Sequence, residues 1–197
     1  MQKQPDAAVL DPLAALTLVQ RPCSHFDERP DPADISLVVI HNISLPPLQF
    51  GTPYIDDFFG GRLDCSVHPY FAQLAGVRVS AHCVIYRDGR ICQYVPFAQR
   101  AWHAGVSQFQ GRDKCNDFSI GIELEGADDI PFTAPQYQAL VLLCHFLLQT
   151  YPLLSTQRIV GHSEIAPGRK TDPGLAFDWC GFFARLANLQ PNSLRQN

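Results

Sequence analysis

His162 and Asp172 stand ten positions apart in the stretch Gly161-His162-Ser163-Glu164-Ile165-Ala166-Pro167-Gly168-Arg169-Lys170-Thr171-Asp172-Pro173-Gly174. A Pro/Gly turn region lies between them, so the chain can fold back and bring an imidazole nitrogen and a carboxylate oxygen to one point. Those are two donors of the kind zinc accepts, and a third must come from elsewhere. His41 is the best outside candidate. It closes the apolar run Leu37-Val38-Val39-Ile40 and would emerge at the carboxyl edge of a central strand, where α/β sheets commonly place their sites. Three protein ligands leave a fourth position open, which is the arrangement of a catalytic zinc.

Two more residues fit chemistry at that point. Glu123 lies within Phe118-Ser119-Ile120-Gly121-Ile122-Glu123-Leu124-Glu125, an apolar alternation in which an unpaired buried carboxylate would be costly. Ser119 and Gly121 share its face and are expected to leave room for a substrate beside it. Lys170 is two positions from Asp172 and therefore close to any ion bound there. Taken singly, the residues have ordinary readings: His41 and His162 as satisfied strand-end histidines, Asp172 as a turn residue, Lys170 as a solvated lysine. Together they supply what amide hydrolysis needs. Zinc on His41, His162 and Asp172 would polarise the carbonyl and lower the pKa of water from ~15.7 toward ~7. Glu123 would move the proton from that water to the departing amine, and Lys170 would stabilise the oxyanion. The spacing H-x9-D is not by itself a specific pattern.

The elements that must position these residues follow from periodicity. Strands are expected at 36–42, 81–86, 91–95, 118–125 and 158–162, the second and third joined across Arg87-Asp88-Gly89-Arg90 as a hairpin. Within 118–125 the alternation places Phe118, Ile120, Ile122 and Leu124 on one face. Thr133 caps a helix over 134–151 that Pro152 stops, and a last helix spans 177–189. Residues 43–79 are punctuated by Pro and Gly, with short helices only near 54–59 and 69–74; so long an irregular stretch reads as a wall or lid facing substrate. Residues 1–34 read as an extended lead-in. Strands alternating with helices predict an α/β layer fold in one domain: a central mixed sheet flanked by helices. The expected divisions are an N-terminal extension over 1–21, the domain over 22–189 and a C-terminal tail over 190–197.

Composition narrows the partners. A length of 197 residues suits one full core, and a formal net charge of −4 removes the attraction to phosphate backbones on which nucleic-acid binding depends. No apolar run approaches the ~20 residues of a membrane span, and the N-terminal segment, split by Asp11-Pro12, does not read as a secretory signal. Seven scattered cysteines without a CxxC pair predict free thiols in a reducing compartment, hence the cytoplasm. His82-Cys83 does not form a Cys-His nucleophile pair, because neighbouring strand residues point to opposite faces.

The segments Val39-Ile40-His41-Asn42, Arg78-Val79-Ser80-Ala81-His82, Trp102-His103-Ala104-Gly105, Asn116 through Glu123, and Gly161 through Gly174 resemble, in unbroken order, the motifs of the zinc-dependent N-acetylmuramoyl-L-alanine amidase family. The likeness is greatest to its cytoplasmic members that act on 1,6-anhydro-muropeptides. Asp172, where many extracellular members carry a cysteine, agrees with that subgroup. The resemblance implies an amidase and peptidoglycan-recognition-protein-like fold, zinc on His41, His162 and Asp172, and catalytic roles for Glu123 and Lys170. It also implies that Asn42, Arg78 and Trp102 hold the sugar and its peptide, with His103 outside the ligand set. A monomer acting on a small muropeptide is expected, cleaving between (1,6-anhydro-)N-acetylmuramic acid and L-alanine. Two rivals remain: a module that binds muropeptides without cutting them, and an exported amidase acting on polymeric peptidoglycan.

Overall fold

The computed structural model of the protein describes residues 16–189, so residues 1–15 of the expected extension and the expected tail over 190–197 lie outside the described residues. In chain order the strands are β1 (Leu18–Gln20), β2 (Phe26–Glu28), β3 (Leu37–Ile43), β4 (Cys83–Ile85), β5 (Ile91–Gln93), β6 (Gln99–Ala101), β7 (Gln108–Phe109), β8 (Arg112–Asp113), β9 (Ser119–Glu125) and β10 (Ile159–Gly161). The α-helices are α1 (Tyr54–Phe59), α2 (Ala134–Thr150), α3 (His162–Ile165) and α4 (Trp179–Leu189), and a 3-10 helix spans Pro69–Leu74.

Six strands form the central sheet in the order β1-β5-β4-β9-β3-β10. The run β4-β9-β3-β10 is parallel, β4 and β5 form the antiparallel hairpin expected around Asp88-Gly89, and β1 lies parallel to β5 at the edge. The α/β architecture is therefore the expected one. Residues 16–34 are not simply a lead-in: Leu18–Gln20 extends the sheet, and Phe26–Glu28 pairs antiparallel with Gln99–Ala101.

One face of the sheet is covered by α2 and α4, where Val38, Ile40, Cys83, Ile85, Ile120, Ile122 and Leu124 pack with Leu140, Leu143, Cys144, Leu147, Phe182 and Leu186. Thr133 starts α2 with a complete capping box: its hydroxyl accepts from the Gln136 N–H, and the Gln136 side chain returns to the Thr133 N–H. The opposite face carries α1, the 3-10 helix and the connections between them, closed over Leu45, Ile55, Phe59, Phe71 and Val84. Phe118 departs from its expected face. It sits at the end of a 3-10 turn with ψ 11°, before the pleat begins, and packs with Leu37, Val39, Val160 and Ile165 instead of with Ile120 and Ile122. Among the described residues no helix is long and apolar enough to cross a membrane.

Arg29 holds together the segments that lead into the site. The residue is 4% exposed, and its guanidinium donates to the carbonyls of Phe97, Asn116, Asp117 and Ser119. Burial lowers its pKa to about 10, so it stays charged at neutral pH. Removing it strands several carbonyls at once, and each unpaired buried group costs about 1–3 kcal/mol. Arg29→Ala is expected to destabilise the fold by roughly 3 kcal/mol, a fall in Tm of about 6–12 °C for a chain of this size, read by thermal unfolding of the two proteins side by side.

Candidate active site

Strand register sets the site. His41 in β3 pairs with Glu123 in β9, and Ile40 pairs with Gly161 in β10, so His162, the next residue, falls level with His41 on its other side. Three separated segments thus deliver an imidazole, a carboxylate and a second imidazole to the carboxyl ends of parallel strands, on the face away from α2 and α4. Asp172 arrives by the return of the following loop. Its carbonyl accepts from the Ser163 N–H at 3.0 Å, and Pro173 lies against Gly161, where a Cβ would meet the proline Cδ at 2.8 Å.

The three donor atoms make a small triangle. His41 Nδ1 is 3.0 Å from His162 Nδ1 and 2.9 Å from Asp172 Oδ2, and His162 Nδ1 is 3.0 Å from the same oxygen. Two ligands on a tetrahedral zinc with bonds of ~2.0 Å stand about 3.3 Å apart, close to these edges. Proton counting points to a cation as well. His162 Nε2 lies 3.0 Å from the Ala104 carbonyl and must donate to it, and with that single ring proton on Nε2 the Nδ1 lone pair is free to bind a cation. Burial brings the His41 pKa down to about 4, so that ring is neutral at neutral pH. A proton on His41 Nδ1 would serve two acceptors and one on Nε2, facing His103, would serve neither, whereas a divalent cation would satisfy all three atoms. Burial pushes the Asp172 carboxyl up, but its contacts with His162 and His41 outweigh this and hold it well below the usual carboxylate range. The same three residues are the described group able to offer a metal ion three ligand atoms.

Glu123 Oε2 is buried without a hydrogen-bond partner. Burial, then the Asp172 carboxylate, push its carboxyl well above the ordinary range, while Lys170 pulls it down. An unpartnered buried carboxylate with a raised pKa in a cleft, beside a triangle of donors, makes Glu123 a candidate functional group. The room expected next to it is taken. The imidazole of His103 occupies the space over Gly121, where any Cβ would overlap the ring, and it lies between Ser119 Oγ at 3.2 Å and His41 Nε2 at 2.9 Å. Gly121 and Ser119 are small because a histidine packs there, and that histidine orients a ligand candidate.

These groups open into a cleft of about 680 Å³ whose lining includes His41, Glu123, His162, Lys170 and Asp172 as well as Phe58, Phe59, Tyr70, Asp128 and Arg169. The irregular region 43–79 supplies one wall, as expected. Lys170 is exposed at its edge. Trp102 lines the cleft, its indole N–H donating to Asp27 Oδ1 at 3.1 Å. Arg78 stands outside it, over the Trp102 ring at 5.5 Å, in an adjoining cavity of about 280 Å³. Asn42 lines the cleft, but its amide N–H groups are engaged, at 2.7 Å to Asp128 Oδ1 and 3.1 Å to the Pro173 carbonyl.

Sequence reasoning missed Arg29, Asp128 and Asn116, whose Oδ1 accepts from the His103 and Ala104 N–H groups. None carries a local signal: each acts on backbone or amide groups far away in sequence.

Comparison with known proteins agrees with this geometry. The family model described as N-acetylmuramoyl-L-alanine amidase matches residues 31–175. The 1,6-anhydro-N-acetylmuramyl-L-alanine amidase AmpD of Haemophilus influenzae is 63% identical over 155 residues, covering 79% of this chain and 84% of that protein. AmpD of Escherichia coli is 58% identical over 161 residues, 82% of this chain and 87% of that protein. A crystal structure of a selenomethionine AmpD derivative superposes with a TM-score of 0.83 at 56% identity, covering 86% of this chain and 94% of that one. The E. coli amidase AmiD, solved with the substrate anhydro-N-acetylmuramic acid-L-Ala-D-γ-Glu-L-Lys, superposes with a TM-score of 0.57 at 32% identity over 77% of this chain and 57% of that one. With its fold, its matched segment and its relatives in agreement, this chain belongs to the N-acetylmuramoyl-L-alanine amidase family.

Proposed function

We propose that this chain hydrolyses the amide bond between 1,6-anhydro-N-acetylmuramic acid and L-alanine of muropeptides, in peptidoglycan recycling, with zinc held by His41, His162 and Asp172. The observation that carries the reading is the triangle of donor atoms at 2.9–3.0 Å with the unpartnered Glu123 carboxylate beside it. When bound, zinc supplies the Lewis acidity that polarises the scissile carbonyl and acidifies the attacking water.

The chain does the rest. Glu123 accepts the proton of that water and returns it to the amine of L-alanine as the bond breaks. Its raised pKa suits both halves of the transfer, since a carboxyl that is too acidic would not hold the proton long enough to donate it. Lys170 at the cleft edge supplies positive charge for the developing oxyanion. His103 accepts from His41 Nε2 and fixes the ring so that Nδ1 faces inward. The cleft volume lies within the range of small-ligand sites, about 300–1,000 Å³. It is suited to a muropeptide, with Trp102 offering an apolar face to the sugar. Arg78, on the adjoining cavity, is placed to take a peptide carboxylate. We assign the catalytic domain to residues 18–189 rather than 22–189, because Leu18–Gln20 is an edge strand of its sheet, and take it to act as a monomer. Seven free cysteines, four of them buried, support a reducing compartment and hence the cytoplasm.

The test pairs metal content with product identity. Purified protein given anhydro-muramoyl tripeptide should release free tripeptide, read by mass spectrometry. Chelation should reduce that release at least a hundredfold, with recovery on adding one equivalent of zinc. Intact substrate under zinc-replete conditions would favour a binding module, and faster cleavage of sacculi than of the anhydro-muropeptide would favour an exported wall amidase.

A further inference from the structure

We infer that Asp128 is a positioning residue for the metal ligand Asp172, acting through Asn42; this rests on the reading of His41, His162 and Asp172 as a metal site. Asp172 sits in a loop, and a loop ligand needs something to hold it at a point defined by two strands. The Asp172 carboxylate is contacted by the two imidazoles and its own carbonyl by the Ser163 N–H, which leaves the next carbonyl, that of Pro173, to be held by something else. Asn42, next to His41 at the end of β3, spends one amide N–H on the Pro173 carbonyl at 3.1 Å and the other on Asp128 Oδ1 at 2.7 Å. The bond to the carboxylate is short and charge-assisted. It fixes the orientation of an amide that could otherwise turn, and with it the donor directed at the residue following Asp172.

The same turn is held to Asp128 a second way. Gly174 has φ +85° and approaches so closely that a Cβ there would run into the Asp128 backbone, and the Asp128 carbonyl accepts from the Ala176 N–H at 2.9 Å. Asp128 therefore ties the loop after β9, which carries Glu123, to the turn carrying Asp172, with Asn42 of the His41 strand between them. The proton acceptor and two of the three ligands share one clasp. Asp128 lines the cleft, yet its Oδ1 is already engaged by Asn42. Groups that orient ligands in this way typically change metal affinity by 10–100-fold when removed.

The experiment measures zinc affinity by competition with a chelator, together with thermal unfolding of the metal-free proteins. Asp128→Ala is expected to bind zinc 10–100-fold more weakly than wild type while remaining folded. Asp128→Asn, whose amide oxygen can still accept from Asn42, should stay within about threefold of wild type. Asn42→Ala should weaken binding in the same range as Asp128→Ala, and the double variant should be no weaker than Asn42→Ala alone, because both changes break one clasp. The inference is overturned if Asp128→Ala binds zinc as wild type does, if Asp128→Asn is as weak as Asp128→Ala, or if the two losses add. A wild-type protein that takes up no zinc would overturn the reading of the metal site itself, and this inference with it.

Discussion

Glu123→Ala should retain one zinc per chain and lose turnover by 10²- to 10⁴-fold, the range that a positioned general acid-base contributes. Its carboxylate is next to the triangle but not part of it: strand register sets it level with His41, while the three donor atoms come from His41, His162 and Asp172. Removing it therefore leaves the ligands in place. Stability is the informative control. A buried carboxylate oxygen without a partner is a cost to the fold, so the variant should melt at the same temperature as wild type or higher. A variant that loses activity through unfolding would melt lower. Metal analysis, kcat and Tm on one preparation separate these cases, and wild-type turnover in Glu123→Ala would remove the residue from the mechanism.

His162→Ala should lose both the metal and the activity, with zinc falling from about one equivalent to a small fraction and turnover by three orders of magnitude or more. Two ligands do not make a closed set for a tetrahedral ion, and the alanine leaves His41 and Asp172 with a bare gap where the third nitrogen stood. Removing His162 also frees the Ala104 carbonyl, which then has only the Arg169 guanidinium to pair with. A modest loss of stability is expected beside the loss of metal. The contrast carries the assignment: Glu123→Ala separates metal from turnover and His162→Ala does not. Zinc retained at full stoichiometry in His162→Ala would end its role as a ligand, whatever happened to the rate.

Much of this protein can be read locally. Strands around His41 and Glu123 announce themselves as apolar runs, the Asp88-Gly89 hairpin by its turn residues, and the helix from Ala134 by Thr133 and the stop at Pro152, because each depends on neighbours within a few positions. His162 and Asp172 were linked by a short loop. What stayed hidden depends on distant partners. The Phe118 side chain changes face because a 3-10 turn ends there, not because its own alternation fails. Gly121 looked like room for substrate, since nothing nearby in the chain says that His103 will fill the space. Asn42, expected to hold substrate, has its amide hydrogens occupied by Asp128 and Pro173.

The sequence by itself determined the inventory: which side chains can ligate, which can move a proton, and that strands and helices alternate, because residue chemistry and hydrophobic period are local properties of a chain. Only the tertiary structure decided that His41 and Glu123 stand level on β3 and β9, with His162 beside them as the first residue after β10. Parallel register is set between segments that lie tens of residues apart, and a shift of one residue would turn the strand side chains His41 and Glu123 to the other face. It also decided the part played by Arg29 and Asp128, whose partners are backbone and amide groups that become neighbours only when the loops close.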